Sequence, residues 1–355
     1  MLPFLVLMAV PFLYQHIGTH QFNYEKKNRT AITIFFVLMA FLLMFRHESV
    51  GIDSARYLSH FQRYAMASWK EAFGMSSEFS FTYLCKLIAL ISRESQALLI
   101  VTSFLGVVMI YPTYRRLSID PTLTIVLFVS MATFAMSFSG IRQTLAIGVG
   151  VVAYECTRCR KLVLFILVVA LATTFHNSAF VLLLMYPIYH ARITKNWLIV
   201  VIPLIGFVFL FNRQIFGFMS MFLMRFTDYD VTMSATGAYT SLVLFALFAV
   251  YAYLVPDDSL MDQETIGLRN LLLLVLVLQM FAPLHTLAMR MNYYYVVFIP
   301  LLMPKIVYYR SERWAQVAVV GRHIMVIYFF LHFITLPTSG NLRMIPYHFF
   351  WETVL

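Results

Sequence analysis

A chain of 355 residues with 61% hydrophobic and only 12% charged residues lies far outside the soluble globular range, where about 25% of residues are charged. Its net charge of +10 comes from Lys and Arg scattered between apolar runs, which argues against a nucleic-acid-binding face and suits positive-inside topology. Three cysteines, Cys85, Cys156 and Cys159, are too few for a disulfide framework, and with no second pair Cys156-x-x-Cys159 is not read as a zinc or redox motif.

The expected fold is all-α, a polytopic membrane helical bundle forming a single integral membrane domain over residues 1–355. A helix needs about 20 residues to cross the hydrocarbon layer. The candidate spans are 1–15, 30–45, 96–112, 122–138, 141–156, 161–176, 177–190, 196–212, 236–255, 267–286, 291–309 and 322–337, twelve in all. The first of them lacks a basic leader and a small-residue cleavage site, so it reads as a retained helix rather than a signal peptide.

Orientation follows from the short loops. Lys26, Lys27 and Arg29, then Arg115 and Arg116, then Arg158, Arg160 and Lys161, then Arg192 and Lys195, and finally Lys305, Arg310 and Arg313 are all expected on the cytoplasmic side. The acidic loop 256–264 falls on that side too. The apolar run 79–92 carries Lys86 and is only fourteen residues long. Counted as a crossing it would invert every later loop, so it is expected to be a short re-entrant or interfacial segment walling a site, where irregular backbone is tolerated. The opposite face then collects Arg46, Asp53, Arg56, Tyr57, Glu78, Arg142, His176, Arg213, Arg225, Asp228, Asp230, His285, Arg290, Arg343 and His348.

Four stretches on that face carry chemistry. In 46–57, Gly51 permits a tight reversal, and Asp53 with Arg56 fits either a capped interfacial helix with an ion pair or a polar cavity wall. In 138–143, Gly140 precedes a helix whose first turn holds Arg142. A cation there opposes the helix dipole unless an anion is present, and a guanidinium grips phosphate oxygens in pairs, so a phosphate or diphosphate site is expected. At 289–295, Arg290 stands beside three tyrosines, a second arm for a diphosphate clamp or an interfacial belt. At 173–179, His176 lies in a tight hairpin, and an imidazole there suits a general base. No His-x-x-x-His or Cys/His cluster accompanies it, so metal and cofactor chemistry are not expected.

Taken together, R-x-x-x-x-G-I-D-S-x-x-Y from Arg46, E-F-S-F from Glu78, F-S-G-I-R-Q-x-L-A from Phe138, F-H-N-S-A from Phe175, A-x-R-x-N-Y-Y from Ala288 and P-Y-x-F-x-W from Pro346 resemble the EpsG-like branch of the Wzy-type polysaccharide polymerases. The resemblance spans nearly the whole chain, and its two most specific pieces are 139–146 and 175–179. It implies a multi-pass enzyme of the bacterial cytoplasmic (inner) membrane that polymerises O-antigen, capsule or exopolysaccharide repeat units on undecaprenyl diphosphate at the periplasmic or outer face. Its partners would be lipid-linked repeat units as donor and acceptor, membrane lipid, and a chain-length regulator and flippase.

On that reading His176 is the base, with Asp53 the alternative. Arg142, Arg290 and Arg46 bind the diphosphate, and Tyr57, Gln143 and Tyr293 contact sugars. A lipid-linked oligosaccharide flippase or transporter is the rival from another class, weakened by the lack of an internal repeat. An O-antigen ligase would be expected to carry a larger outer domain.

Overall fold

The computed structural model describes residues 1–17, 24–223, 235–335 and 342–353. Arg225, Asp228 and Asp230 lie outside the described residues. Among those described, all regular structure is helical, with two isolated antiparallel bridges, Arg46 with Phe349 and Pro256 with Arg310. The chain divides into two units, Met1–Phe180 with Ile324–Leu355, and Val181–His323.

The first unit holds α1 (Leu2–His16), α2 (Tyr24–Met44), α3 (Ser54–Met66), α4 (Trp69–Gly74), α5 (Phe79–Ile91), α6 (Ser95–Leu117), α7 (Pro121–Ser130), α8 (Ala132–Ser139), α9 (Ile141–Arg158) and α10 (Leu162–Phe175). Polar side chains set its register. Asn28 donates to the Ile119 carbonyl at 2.8 Å, Thr33 meets the Tyr111 hydroxyl at 3.0 Å, and Gln96 donates to the Met44 carbonyl at 2.6 Å, so α2 and α6 run antiparallel. Helix α9 runs parallel to α6: Gly106 faces Thr144, Gly148 faces Met109, and Thr113 donates to Glu155 at 2.8 Å. Small residues at such a crossing let two apolar helices approach closely, which is how helices associate in lipid.

These pairings give the first unit two polar ends. One gathers Asn28, Thr113, Ile119 and Glu155. The other gathers Met44, Gly51–Ser54, the start of α5, Gln96, the α8–α9 break and the end of α10.

Over the second end lies a collar. The pattern 57, 58, 61, 64, 65 marks one face of α3, and it buries Tyr57, Leu58, Phe61 and Tyr64 on Phe81, Cys85, Ile88, Leu98, Leu99, Ile141 and Leu145, while Arg56, Ser59 and Arg63 stay exposed. Lys86, awkward in an apolar run, donates to the carbonyls of Tyr64 and Ala67 at 3.1 and 2.7 Å. It closes the C-terminal end of α3, where a cation is favoured. The C-terminal segment straps the same end. Gly51 and Ile52 donate to the Arg343 and Leu342 carbonyls, His47 to the His348 carbonyl, and Phe350 to the Phe45 carbonyl.

The second unit holds α11 (Met185–His190), which continues the 3₁₀ segment Asn177–Leu184, then α12 (Leu198–Leu210), α13 (Asn212–Leu223), α14 (Ala235–Leu254), α15 (Gln263–Gln279), α16 (Thr286–Val296) and α17 (Ile299–Tyr308). Helix α18 (Ala315–Ile334) begins in it and ends in the first unit. The acidic loop 256–264 answers buried cations: Asp258 pairs with Arg269 at 2.7 Å, and Asp262 with Lys305 at 3.2 Å. The Arg269 guanidinium also lies 4.2 Å from the Tyr253 ring centre.

Among the described residues four helices are long and apolar enough to cross a membrane, Tyr24–Met44, Ser95–Leu117, Gly237–Leu254 and Glu312–Ile334, or up to six spans if each of two bent pairs is one. That is fewer than the twelve spans expected. The difference lies in breaks and short helices that composition alone does not resolve. The 122–138 stretch is two helices meeting at 58° around an extended Met131. The 177–190 and 196–212 stretches form a pair bent by 118°. Helix α5 is continuous rather than a folded hairpin; its 13 residues reach about 20 Å, against roughly 30 Å of hydrocarbon.

Candidate active site

The α8–α9 break organises the site. Gly140 ends α8 and precedes α9, so the chain turns there and leaves the free N–H groups of a new helix at the second polar end. The 51–54 turn locks onto this break. Gly51 has φ +95°, and a Cβ there would stand 2.1 Å from the Phe138 carbonyl oxygen, so only glycine fits. The Ser54 hydroxyl lies 2.6 Å from the Val50 and 3.1 Å from the Phe138 carbonyl oxygens, and the Ser139 hydroxyl reaches an Asp53 carboxylate oxygen at 3.4 Å. Two motifs 86 residues apart therefore form one joint.

Beside that joint stands a charged triad. Glu78 precedes α5, Arg142 sits in the first turn of α9, and His176 ends α10. One Glu78 carboxylate oxygen lies 2.6 Å from His176 Nδ1 and 3.4 Å from the Asn177 backbone nitrogen, which donates to it. The other oxygen lies 2.5 Å from Arg142 Nη1. The start of α5 is fixed to the end of α10 by Ser80 and Thr174, whose hydroxyls are 2.7 Å apart.

Burial by itself would raise the Glu78 carboxyl, but the His176 hydrogen bond and charge, then Arg142 and the Asn177 N–H, outweigh it and hold it below its ordinary value of 4.5. A depressed carboxyl orders its partners fully above that ordinary value and lets them go only as pH falls through the lower one. Glu78 is thus ionised at neutral pH.

Tyr57 completes the cluster. Arg142 Nε lies 3.4 Å from its hydroxyl, and the guanidinium lies 5.4 Å from its ring centre and 5.9 Å from that of Phe81. Burial pushes the Tyr57 phenol up, opposed by Arg142, so the phenol stays protonated.

An imidazole whose Nδ1 donates to a carboxylate keeps its lone pair on Nε2. Among the described residues His176 Nε2 has no hydrogen-bond partner. The arrangement can accept a proton at Nε2 and hold negative charge near the Arg142 guanidinium and the α9 N-terminus.

Of the residues expected from sequence, His176, Arg142 and Tyr57 come together, with Asp53 attached through Ser139. Gln143 is buried beside Arg142. Arg46 does not join them: it is fully buried, bonded to the Leu43 carbonyl and to the Ser103 hydroxyl at 3.2 Å, with its guanidinium 5.9 Å from the Phe138 ring centre. Asp53 begins α3 without a side-chain cap, and Ser139, not Arg56, supplies its side-chain contact. Arg290 and Tyr293 lie on α16 in the second unit, where His285 caps that helix by accepting from the Leu287 N–H at 3.0 Å.

Glu78 is absent from the sequence-derived site, although it lies on the expected face. Its signal is charge balance: two basic side chains sit at apolar helix mouths without a local acid, and one acid precedes a short apolar run. The anion that Arg142 requires at a helix N-terminus is supplied within the protein. Among the described residues no group of three or more His, Cys, Asp and Glu is arranged to hold a metal.

A family model described as the EpsG family matches residues 29–349. No curated protein and no solved structure matches the chain.

Proposed function

The chain belongs to the EpsG family, and from that premise, which points to a glycan-polymerase-like role at a membrane, we propose that it is a Wzy-type polysaccharide polymerase. The donor is a growing glycan on undecaprenyl diphosphate, and the acceptor is a sugar hydroxyl of a lipid-linked repeat unit. The observation that carries this reading is the Glu78–His176–Arg142 triad at the N-terminus of α9.

The acceptor hydroxyl attacks the anomeric carbon of the donor. A new glycosidic C–O bond forms, the C–O bond to the diphosphate breaks, and undecaprenyl diphosphate leaves with the bonding pair. His176 Nε2 takes the acceptor's proton. Arg142 and the α9 N–H groups stabilise the charge growing on the leaving oxygen, a kind of preorganised term worth roughly 3–4 kcal/mol per donor. Tyr57 and Gln143 line the sugar side. Asp53, tied to Ser139, orients the α8–α9 joint. The reaction is written without a metal. The site end faces the periplasm or cell exterior, opposite Arg115, Arg116, Arg158 and Lys161. A chain-length regulator and a flippase that supplies repeat units are the proposed partners.

The test is extension of a purified undecaprenyl-diphosphate-linked repeat unit by the purified protein in detergent with EDTA. A product ladder with stoichiometric release of undecaprenyl diphosphate supports the reading. No ladder, with movement of the same lipid across liposomes, would replace it with a flippase.

A further inference from the structure

Glu78 touches both halves of the site, and its surroundings fit a role beyond structure. The Arg142 side chain is 22% exposed while that of Glu78 is 8% exposed, so an arriving anion meets the guanidinium before the carboxylate. If Arg142 turns to that anion, Glu78 keeps two donors, His176 Nδ1 and the Asn177 N–H. It is not stranded as a buried charge without partners, the condition that makes breaking most buried ion pairs costly.

We propose that Glu78 is a positioning residue whose salt bridge to Arg142 is displaced by the donor's diphosphate: it holds His176 through Nδ1 throughout, and holds Arg142 only until the donor takes the guanidinium. The inference rests on the diphosphate reading above. It couples the two substrates. Before the donor binds, the carboxylate's charge is divided between an imidazole and a guanidinium; afterwards it acts on the imidazole alone, which strengthens Nε2 as a proton acceptor when a leaving group is in place. Acceptor deprotonation is thereby tied to donor arrival.

Glu78→Gln tests this because it keeps the shape and removes the charge. The probe is undecaprenyl diphosphate, bound to the purified full-length protein in detergent. Removing a competitor for Arg142 should tighten probe binding about three- to tenfold, while the extension rate falls about 10²-fold. A merely structural carboxylate would weaken both. In the Arg142→Ala background the same change should give no tightening. Glu78→Asp, which returns the charge one methylene back, should recover part of the rate and serves where the glutamine variant melts early.

Histidine ¹⁵N spectra read the other contact without any glycan. Wild type should hold His176 with its proton on Nδ1, and Glu78→Gln should lose that preference. Equal or weaker probe binding by Glu78→Gln, extension at the wild-type rate, or an unchanged His176 tautomer each overturns the proposal. If the wild type binds no undecaprenyl diphosphate, the donor assignment fails, and the coupling with it, while the spectra still decide the Glu78–His176 contact.

Discussion

At each end of α9 one carboxylate is shared by two basic side chains. At the C-terminal end Glu155 pairs with Arg116 at 2.8 Å and with Arg158 at 2.9 Å, and all three side chains are 30–36% exposed. At the N-terminal end Glu78 pairs with Arg142 and His176, and the carboxylate and imidazole are each 8% exposed. The distances are alike; the surroundings are not. Exposed ion pairs are screened by water and contribute about 0–1 kcal/mol, whereas buried ones persist only where geometry and further hydrogen bonds are good. The first cluster ties α6 to α9 at a partly exposed helix end. The second combines a titratable ring, a guanidinium against the local helix dipole, and two aromatic faces, the pattern of a functional site.

Breaking the comparison at its strongest point means removing Arg142. Arg142→Ala should lower the extension rate about 10²–10³-fold with the fold retained, as read by product ladders beside a melting curve. Gly51→Ala strikes the joint behind the site. A Cβ 2.1 Å from the Phe138 carbonyl oxygen, at φ +95°, should cost about 2–5 kcal/mol in strain and overpacking, seen as a large drop in melting temperature with loss of activity. Lys86→Met removes the cation closing α3 and should cost about 1–2 kcal/mol, a shift of a few degrees, with the extension rate falling less than in Arg142→Ala. At the other end of α9, Glu155→Gln should cost under about 1 kcal/mol and leave the extension rate within about twofold.

Much of this end of the molecule is legible in the sequence. Counting Lys and Arg between apolar runs places Asp53, Tyr57, Arg142 and His176 on one face, and the structure brings them to one end of the first unit. The dipole argument for Arg142 demands an anion and expects a phosphate or diphosphate. It does not reveal that Glu78, 64 positions earlier in the chain, meets that demand, because an acid in an interfacial loop reads as solvated until the fold brings α5 against α10. Helix breaks are equally hidden. Met131 carries no proline or glycine signal, yet it separates α7 from α8. Arg46 shows the reverse case. Its position after α2 suggests a ligand, but the C-terminal strap packs over it and turns it into a buried strut bonded to Leu43 and Ser103.

The most direct measurement is the extension rate of His176→Ala beside that of Glu155→Gln, on one lipid-linked repeat unit and at matched folded protein. The account predicts loss of about 10²–10⁴-fold for the histidine variant and a near-wild-type rate for the glutamate variant. A His176→Ala protein that still builds the ladder at the wild-type rate would contradict it, and would move the reaction centre away from the N-terminus of α9.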